Sequence, residues 1–371
     1  MSRTLTEIAQ QLKDSDKKVQ LIYAFNGTGK TRLSLEFTKL IAHSSPDNKD
    51  GIESKLLPNQ ILYYNAFTED LFFWDNDIES HVEPKMIIQP NTFTDWILKI
   101  QGQDLNIITN FQSYANQRLT PHFSANFREV TFSLKHGNNS QLKNLKISKS
   151  EERIFIWCFF YTLLDEVISN LEVAESTDRD THQFDHLKYV FIDDPVSSLD
   201  ENHLIELAVN LAGLIKSSPP DLKFIITTHS TIFYNVLFSE LSEKIGYLLE
   251  RFENGTFDLN VKGGKANKSF SYHLHLMQTI EEAIADNKIQ KYHFTFLRNL
   301  YEKTASFLGY SHWSDLLPSD QHSYYKQITN FASHSTFSSE TVAALTPQEK
   351  KMVKFLLDHL QENYGFWQPE K

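Results

Sequence analysis

Ala24-Phe25-Asn26-Gly27-Thr28-Gly29-Lys30-Thr31 decides how the rest of this chain is read. Val19-Gln20-Leu21-Ile22-Tyr23, just before it, is an apolar segment with the length of a buried strand. Arg32-Leu33-Ser34-Leu35-Glu36-Phe37, just after it, has helical spacing with one apolar face. Strand, glycine-containing turn, Lys-Thr and helix together give the context of a phosphate-binding P-loop. Gly27 and Gly29 let backbone N–H groups curl inward around an anion, with Asn26 and Thr28 completing the loop, and the helix N-terminus adds positive potential. Lys30 has the reach of β- and γ-phosphates, and the Thr31 hydroxyl suits Mg²⁺. Ala24 stands where the common G-x-x-x-x-G-K-[ST] pattern has its first glycine; it tightens the turn's entrance and leaves the phosphate-facing part intact.

Outward from this loop, Leu5, Ile8, Ala9 and Leu12 recur with helical spacing within residues 1–16, and 44–57 has the composition of a surface loop. Ile61-Leu62-Tyr63-Tyr64-Asn65-Ala66 reads as a second buried strand, Val130-Thr131-Phe132-Ser133-Leu134 as another, and His136-Gly137-Asn138-Asn139-Ser140 as a turn. Ser148, followed three residues later by Glu151, heads a helix; a capping box and a ligand-facing serine both fit that position. Tyr189-Val190-Phe191-Ile192-Asp193-Asp194 is an apolar strand that delivers two carboxylates at its end, the form of a Walker B segment suited to Mg²⁺ and water. Ser197-Ser198-Leu199-Asp200 follows, and Phe224-Ile225-Ile226-Thr227-Thr228-His229-Ser230 is a further strand closed by a histidine.

The 371 residues leave room for roughly two domains, and 40% hydrophobic content supports a sizeable core. The lone cysteine, Cys158, excludes an intramolecular disulfide and sits in the apolar run Ile154–Phe160, where it reads as core filler. That run is shorter than the ~20 residues a bilayer needs, and the N-terminal residues lack an apolar secretory core, so a soluble cytoplasmic protein with no membrane contact is expected. No internal repeat or sustained heptad is present, which excludes long coiled-coil arms. The net charge of −11 is unevenly placed. From Lys262 onward 12 basic residues face 11 acidic ones, whereas the preceding residues hold 24 and 36. The acid belongs to the P-loop region, and a modest basic face is compatible with the rest.

P-loop, helix-head serine, Asp-Asp strand and His-terminated strand, in this order, resemble the ABC-type ATPases, whose sites form between two heads. The resemblance assigns Asn26, Gly27, Thr28, Gly29, Lys30 and Thr31 to the phosphates of ATP or GTP, Thr31 and Asp193 to Mg²⁺, and Asp194 to the position of the catalytic acid. Ser148 then corresponds to the signature serine that reaches across a homodimer or higher oligomer, Ser198-Leu199-Asp200 to the D-loop and His229 to the switch histidine. Asn65 is a stand-in for the glutamine usual between P-loop and signature. Asp194 in place of Glu and Ser150 in place of the signature glycine imply slow hydrolysis, as in a switch.

Past Gly255 the pattern turns helical. Val261–Leu276 begins as a Gly/Lys loop, and its interleaved Lys265, Asn267, Lys268, Tyr272 and His273 suit either an RNA backbone with splayed bases or an ordinary linker. Residues 277–308 read as two helices, with Arg298 and Glu302 at i,i+4 in the second: a surface ion pair, or part of a site. His334 lies in a small-residue stretch. Arg, Glu and His are the groups that metal-free cleavage of RNA requires: a base for the 2′-OH, an acid for the leaving oxygen and a guanidinium for the phosphorane.

Over nearly its whole length the chain closely resembles the PrrC-type anticodon nucleases. Tyr23–Arg32, Tyr64–Asp70, Phe191–Asp200, Asn267–Leu276 and the Arg298/Glu302/His334 set carry the resemblance. It implies an α/β fold, an ABC-type P-loop NTPase head over 1–255 with a mostly α-helical C-terminal ribonuclease domain over 265–371. It makes Arg298, Glu302 and His334 the catalytic set, which cuts tRNA-Lys on the 5′ side of the wobble base to leave 2′,3′-cyclic phosphate and 5′-hydroxyl ends. It also implies ATP or GTP hydrolysis, binding of dTTP, silencing by a type I restriction–modification complex, and release by a phage-encoded peptide. Lys265 departs from an acidic residue in that loop, a change bearing on which tRNA is chosen and not on cleavage. Two other classes fit parts of the chain: a DNA-maintenance ATPase resembling RecF or SMC heads, and a non-enzymatic adaptor.

Overall fold

The computed structural model describes residues 3–42, 60–65, 70–75, 83–135, 141–173, 175–179, 181–195, 199–252, 254–262, 272–318, 324–325, 328–329 and 345–365. The chain divides into two compact units, Met1–Phe270 and Ser271–Lys371.

The first unit begins with α1 (Leu5–Asp14), which Thr4 and Glu7 close with a capping box and which buries Leu5, Ile8, Ala9 and Leu12, the residues whose spacing predicts it. β1 (Val19–Tyr23) is buried along its whole length and leads through the P-loop into α2 (Lys30–Ala42). β2 (Ile61–Tyr64), β3 (Phe72–Asp75) and β4 (Lys85–Ile88) follow, then α3 (Thr92–Asp95, running into a π-helical turn at Trp96–Ile100), α4 (Asp104–Tyr114), β5 (Leu119–Phe123), β6 (Glu129–Lys135) and β7 (Gln141–Leu142). α5 (Lys149–Glu172), β8 (Tyr189–Asp193), α6 (Glu201–Ser217), β9 (Lys223–Thr228), α7 (Thr231–Glu240), β10 (Lys244–Arg251) and β11 (Phe257–Val261) complete it.

Two sheets result. One has the order β11-β10-β1-β9-β8-β2, in which β10, β1, β9, β8 and β2 pair in parallel and β11 closes the edge antiparallel to β10. The other runs β3-β4-β6-β5, with β7 beside β6, and is antiparallel. β11 lies beyond Gly255, where the sequence reading expects helices. Asn254-Gly255 makes the turn, Gly255 at φ +80°, and Phe257-Asp258-Leu259-Asn260-Val261 alternates apolar and polar residues with the period of a strand.

α5 is longer than the apolar run read from the sequence. Among the described residues, Lys149–Glu172 is one helix long and apolar enough to cross a membrane by length and composition, but 72% of its apolar stretch is buried inside the protein. Apolar residues on all sides suit a helix covered on all sides. Phe159 meets Phe72 of β3 and Phe123 of β5, while Trp157 and Phe160 meet Tyr64 of β2, so the helix serves both sheets. Cys158 is fully buried there, and burial pushes its thiol pKa well up, as befits core filler.

The second unit holds α8 (Tyr272–Ala285), α9 (Tyr292–Leu308), a 3₁₀ turn at Trp313–Leu316 and α10 (Pro347–Asn363). Ile280, Leu297, Leu300, Tyr301, Leu316, Val353 and Leu360 anchor its core. The Tyr301 hydroxyl donates to Leu356 O at 2.8 Å, joining α9 to α10.

Candidate nucleotide and ribonuclease sites

Register brings the head residues together. Tyr23 of β1 pairs Thr228 of β9, and Asp193 of β8 pairs Thr227, so the P-loop, Asp194 and His229 all leave the same C-terminal edge of the parallel strands. Asn65 follows β2 one residue past the Tyr64–Ile192 pair at that edge, and is buried.

In the loop Gly27 has φ +79° and Gly29 φ +115°, conformations that favour glycine, and a Cβ on Gly29 would stand 3.3 Å from the Phe257 ring. Lys30 is 7% exposed, and its ammonium lies 3.2 Å from Ala24 O, 3.4 Å from Phe25 O, 3.2 Å from Asn26 Oδ1 and 3.3 Å from Asp194 Oδ2. Thr227 Oγ1 donates to Asp193 at 2.6 Å, and the Thr31 side chain also bonds this carboxylate. Burial raises the Asp193 pKa, with the charge of Asp194 adding to it against those two hydrogen bonds.

Asp194 takes φ +51°, a left-handed conformation that Asp tolerates better than most residues. Its carboxylate accepts from His229 N–H at 3.2 Å, and His229 Nδ1 lies 2.8 Å from both carboxyl oxygens. Burial acts to raise its pKa, but the His229 hydrogen bond and the Lys30 ammonium outweigh it and hold the carboxyl below the usual range. A hydroxyl, two carboxylates, a buried ammonium and a positive-φ loop fit a magnesium nucleotide: oxygen donors for the hard cation, and N–H groups with Lys30 for the phosphates.

Other head residues carry structural duties. Ser148 caps α5: it accepts from Glu151 N–H at 3.3 Å and donates to Glu151 Oε2 at 2.7 Å. Asp200 caps α6, accepting from His203 N–H at 3.1 Å, with His203 Nδ1 2.6 Å away. Ser198 lies outside the described residues.

In the second unit Arg298 Nε donates to Glu302 Oε1 at 2.7 Å, and the two side chains keep 36% and 39% of their surface exposed. His334, Lys265, Asn267 and Lys268 lie outside the described residues. Tyr272 opens α8. His273 lines, with Lys303, Phe307 and Tyr364, a cavity of ≈ 500 Å³; burial and the Lys303 charge lower its pKa. Sequence reasoning missed Trp313, whose ring centroid lies 6.0 Å from the Arg298 guanidinium carbon. The contact crosses a turn, so no periodicity announces it.

No family model matches the chain. A curated Escherichia coli protein named Anticodon nuclease is 60% identical over 393 residues, an overlap that takes in 100% of this chain and 99% of the relative. Solved structures of SMC heads show a slight likeness. The SmcHead bound to the C-winged helix domain of ScpA has a TM-score of 0.32 at 10% identity, covering 67% of this chain and 91% of its own. A Pyrococcus yayanosii Smc head with coiled coil and joint scores 0.30 at 11% identity, and this chain spans only 30% of its length. Scores this low leave the fold to be read from the strand order itself.

Proposed function

The chain belongs to the anticodon nuclease family, and from that membership we propose that it cuts tRNA in the anticodon under the control of its P-loop unit. The observation that carries the chemistry is the Arg298–Glu302 pair, bonded at 2.7 Å yet more than one-third exposed on both sides, and so open to a substrate. A buried pair would be packing, whereas this one presents a carboxylate and a guanidinium on one helix face.

With His334, the pair supplies a complete transesterification. One of Glu302 and His334 takes the proton of a 2′-hydroxyl, whose oxygen forms a bond to phosphorus as the P–O5′ bond breaks. The other gives a proton to the leaving O5′. Arg298 has five N–H donors, of which Nε–H serves Glu302; the guanidinium charge stabilises the phosphorane. The products are a 2′,3′-cyclic phosphate and a 5′-hydroxyl, and no step calls on a metal. tRNA-Lys, cut 5′ of the wobble base, is the proposed substrate.

At the head, ATP or GTP with Mg²⁺ would be held by Asn26–Thr31, with Thr31 and Asp193 toward the cation and Asp194 and His229 beside the reacting phosphate. A bound nucleotide supplies a hydrolysable γ-phosphoryl group. Ser148 and Asp200 would face the nucleotide of a second head in a dimer. Silencing by a type I restriction–modification complex, release by a phage-encoded peptide, binding of dTTP and a cytoplasmic setting complete the reading as an antiviral device, on family resemblance.

The test is cleavage of an anticodon stem-loop RNA with EDTA present. Wild-type protein is expected to yield cyclic-phosphate and 5′-hydroxyl ends, and Arg298→Ala, Glu302→Ala and His334→Ala to lose about 100-fold or more in rate. Wild-type rates in these variants would overturn the assignment. Sequencing the 5′-hydroxyl ends formed after expression identifies the tRNA.

A further inference from the structure

α9 stops where Gly309 takes φ +81°, and Tyr310 N–H then bonds Ala305 O at 2.9 Å, turning the chain back along the helix it has left. The 3₁₀ turn that follows sets Trp313 edge-on to buried Tyr301, with centroids 6.4 Å apart at 61°, and beside the Arg298 guanidinium. Tyr325 lies nearly parallel to Trp313, 5.0 Å away at 23°. An exposure of 41% shows that Tyr325 adds little to the core of this unit. An exposed tyrosine stacked on a half-buried tryptophan, whose ring leans on the guanidinium proposed to meet phosphate, has the chemistry of a base platform. Proteins take unpaired RNA by splaying bases onto aromatic faces, and every base has such a face.

We propose that Trp313 and Tyr325 hold, by stacking, the base of a nucleotide that flanks the scissile phosphate. This rests on the nuclease reading above and names the part of the substrate that is gripped: an unpaired base taken by its face. The pair opens the anticodon loop at Arg298 and leaves the choice of tRNA to groups that read base edges.

Full-length protein and an anticodon stem-loop RNA provide the test. Tyr325→Ala is expected to raise KM about tenfold or more with kcat little changed, and Tyr325→Phe to restore it. An abasic nucleotide on one side of the cut should raise the wild-type KM comparably and add little to Tyr325→Ala, because both remove the same stack. A wild-type KM in Tyr325→Ala, or an abasic penalty that adds in full, overturns the platform and leaves the nuclease standing. A wild-type protein that cuts no stem-loop overturns the nuclease reading, and the platform with it.

Discussion

Asp194 concentrates the forces of the head in one residue. It holds a left-handed backbone, sits beside a second carboxylate, and is bonded by His229 and Lys30. Its folded pKa is held below the ordinary aspartate value of about 3.9, so its stabilising contribution is complete above that value and is lost as pH falls through the folded pKa. Asp193 has the opposite sign: its raised pKa means that ionisation costs stability, and the cost fades as pH falls. Asn tolerates the left-handed conformation as Asp does, so Asp194→Asn removes the charge and spares the backbone. We expect it to lose about 1–3 kcal/mol at pH 7 by urea unfolding, with the gap from wild type closing below about pH 4. A gap independent of pH would mean that the charge is not what holds this corner. The residue types at this corner were legible in the sequence because each ends a strand or opens a helix, and parallel strands deliver their ends to one edge. The positive φ of Asp194 was not legible, since nothing local in Asp193-Asp194-Pro195 distinguishes it from a continuing strand.

At the scale of elements, legibility followed local periodicity. α1, β1, β8 and β9 match the patterns that predict them, and Arg298 and Glu302 meet because four residues along a helix is one turn. β11 was missed because its five residues follow a glycine turn and precede a Gly/Lys stretch. Trp313 and Tyr325 were missed because their meeting depends on how the chain leaves α9, which Gly309 controls. Among the described residues nothing lies within 4 Å of where a Cβ on Gly309 would stand, so Gly309→Ala is a test of backbone conformation. It should cost about 1–2 kcal/mol and speed amide exchange over Ser306–Tyr310. Unchanged protection there would show that the turn is set by the packing of Trp313 and not by the glycine.

At the scale of the whole molecule, charge is divided between the two units as the proposed chemistry is. The first unit, Met1–Phe270, holds 27 basic and 36 acidic groups, a balance that repels a polyanion, while the second is closer to neutral at 9 and 11. The RNA capture proposed above meets less repulsion on the second unit, and the first would act through a small anion at its P-loop. Lys30 separates these roles. Lys30→Met keeps an apolar stem of similar length in a nearly buried position and removes the ammonium that joins the loop carbonyls to Asp194. If the head gates the nuclease, the wild-type rate of stem-loop cleavage changes when ATP, GTP or dTTP is added with Mg²⁺. The variant should cut at one rate whatever is added, because Arg298 and Glu302 are untouched. A variant whose cleavage still follows nucleotide as wild type does would sever the P-loop from the control of the RNase.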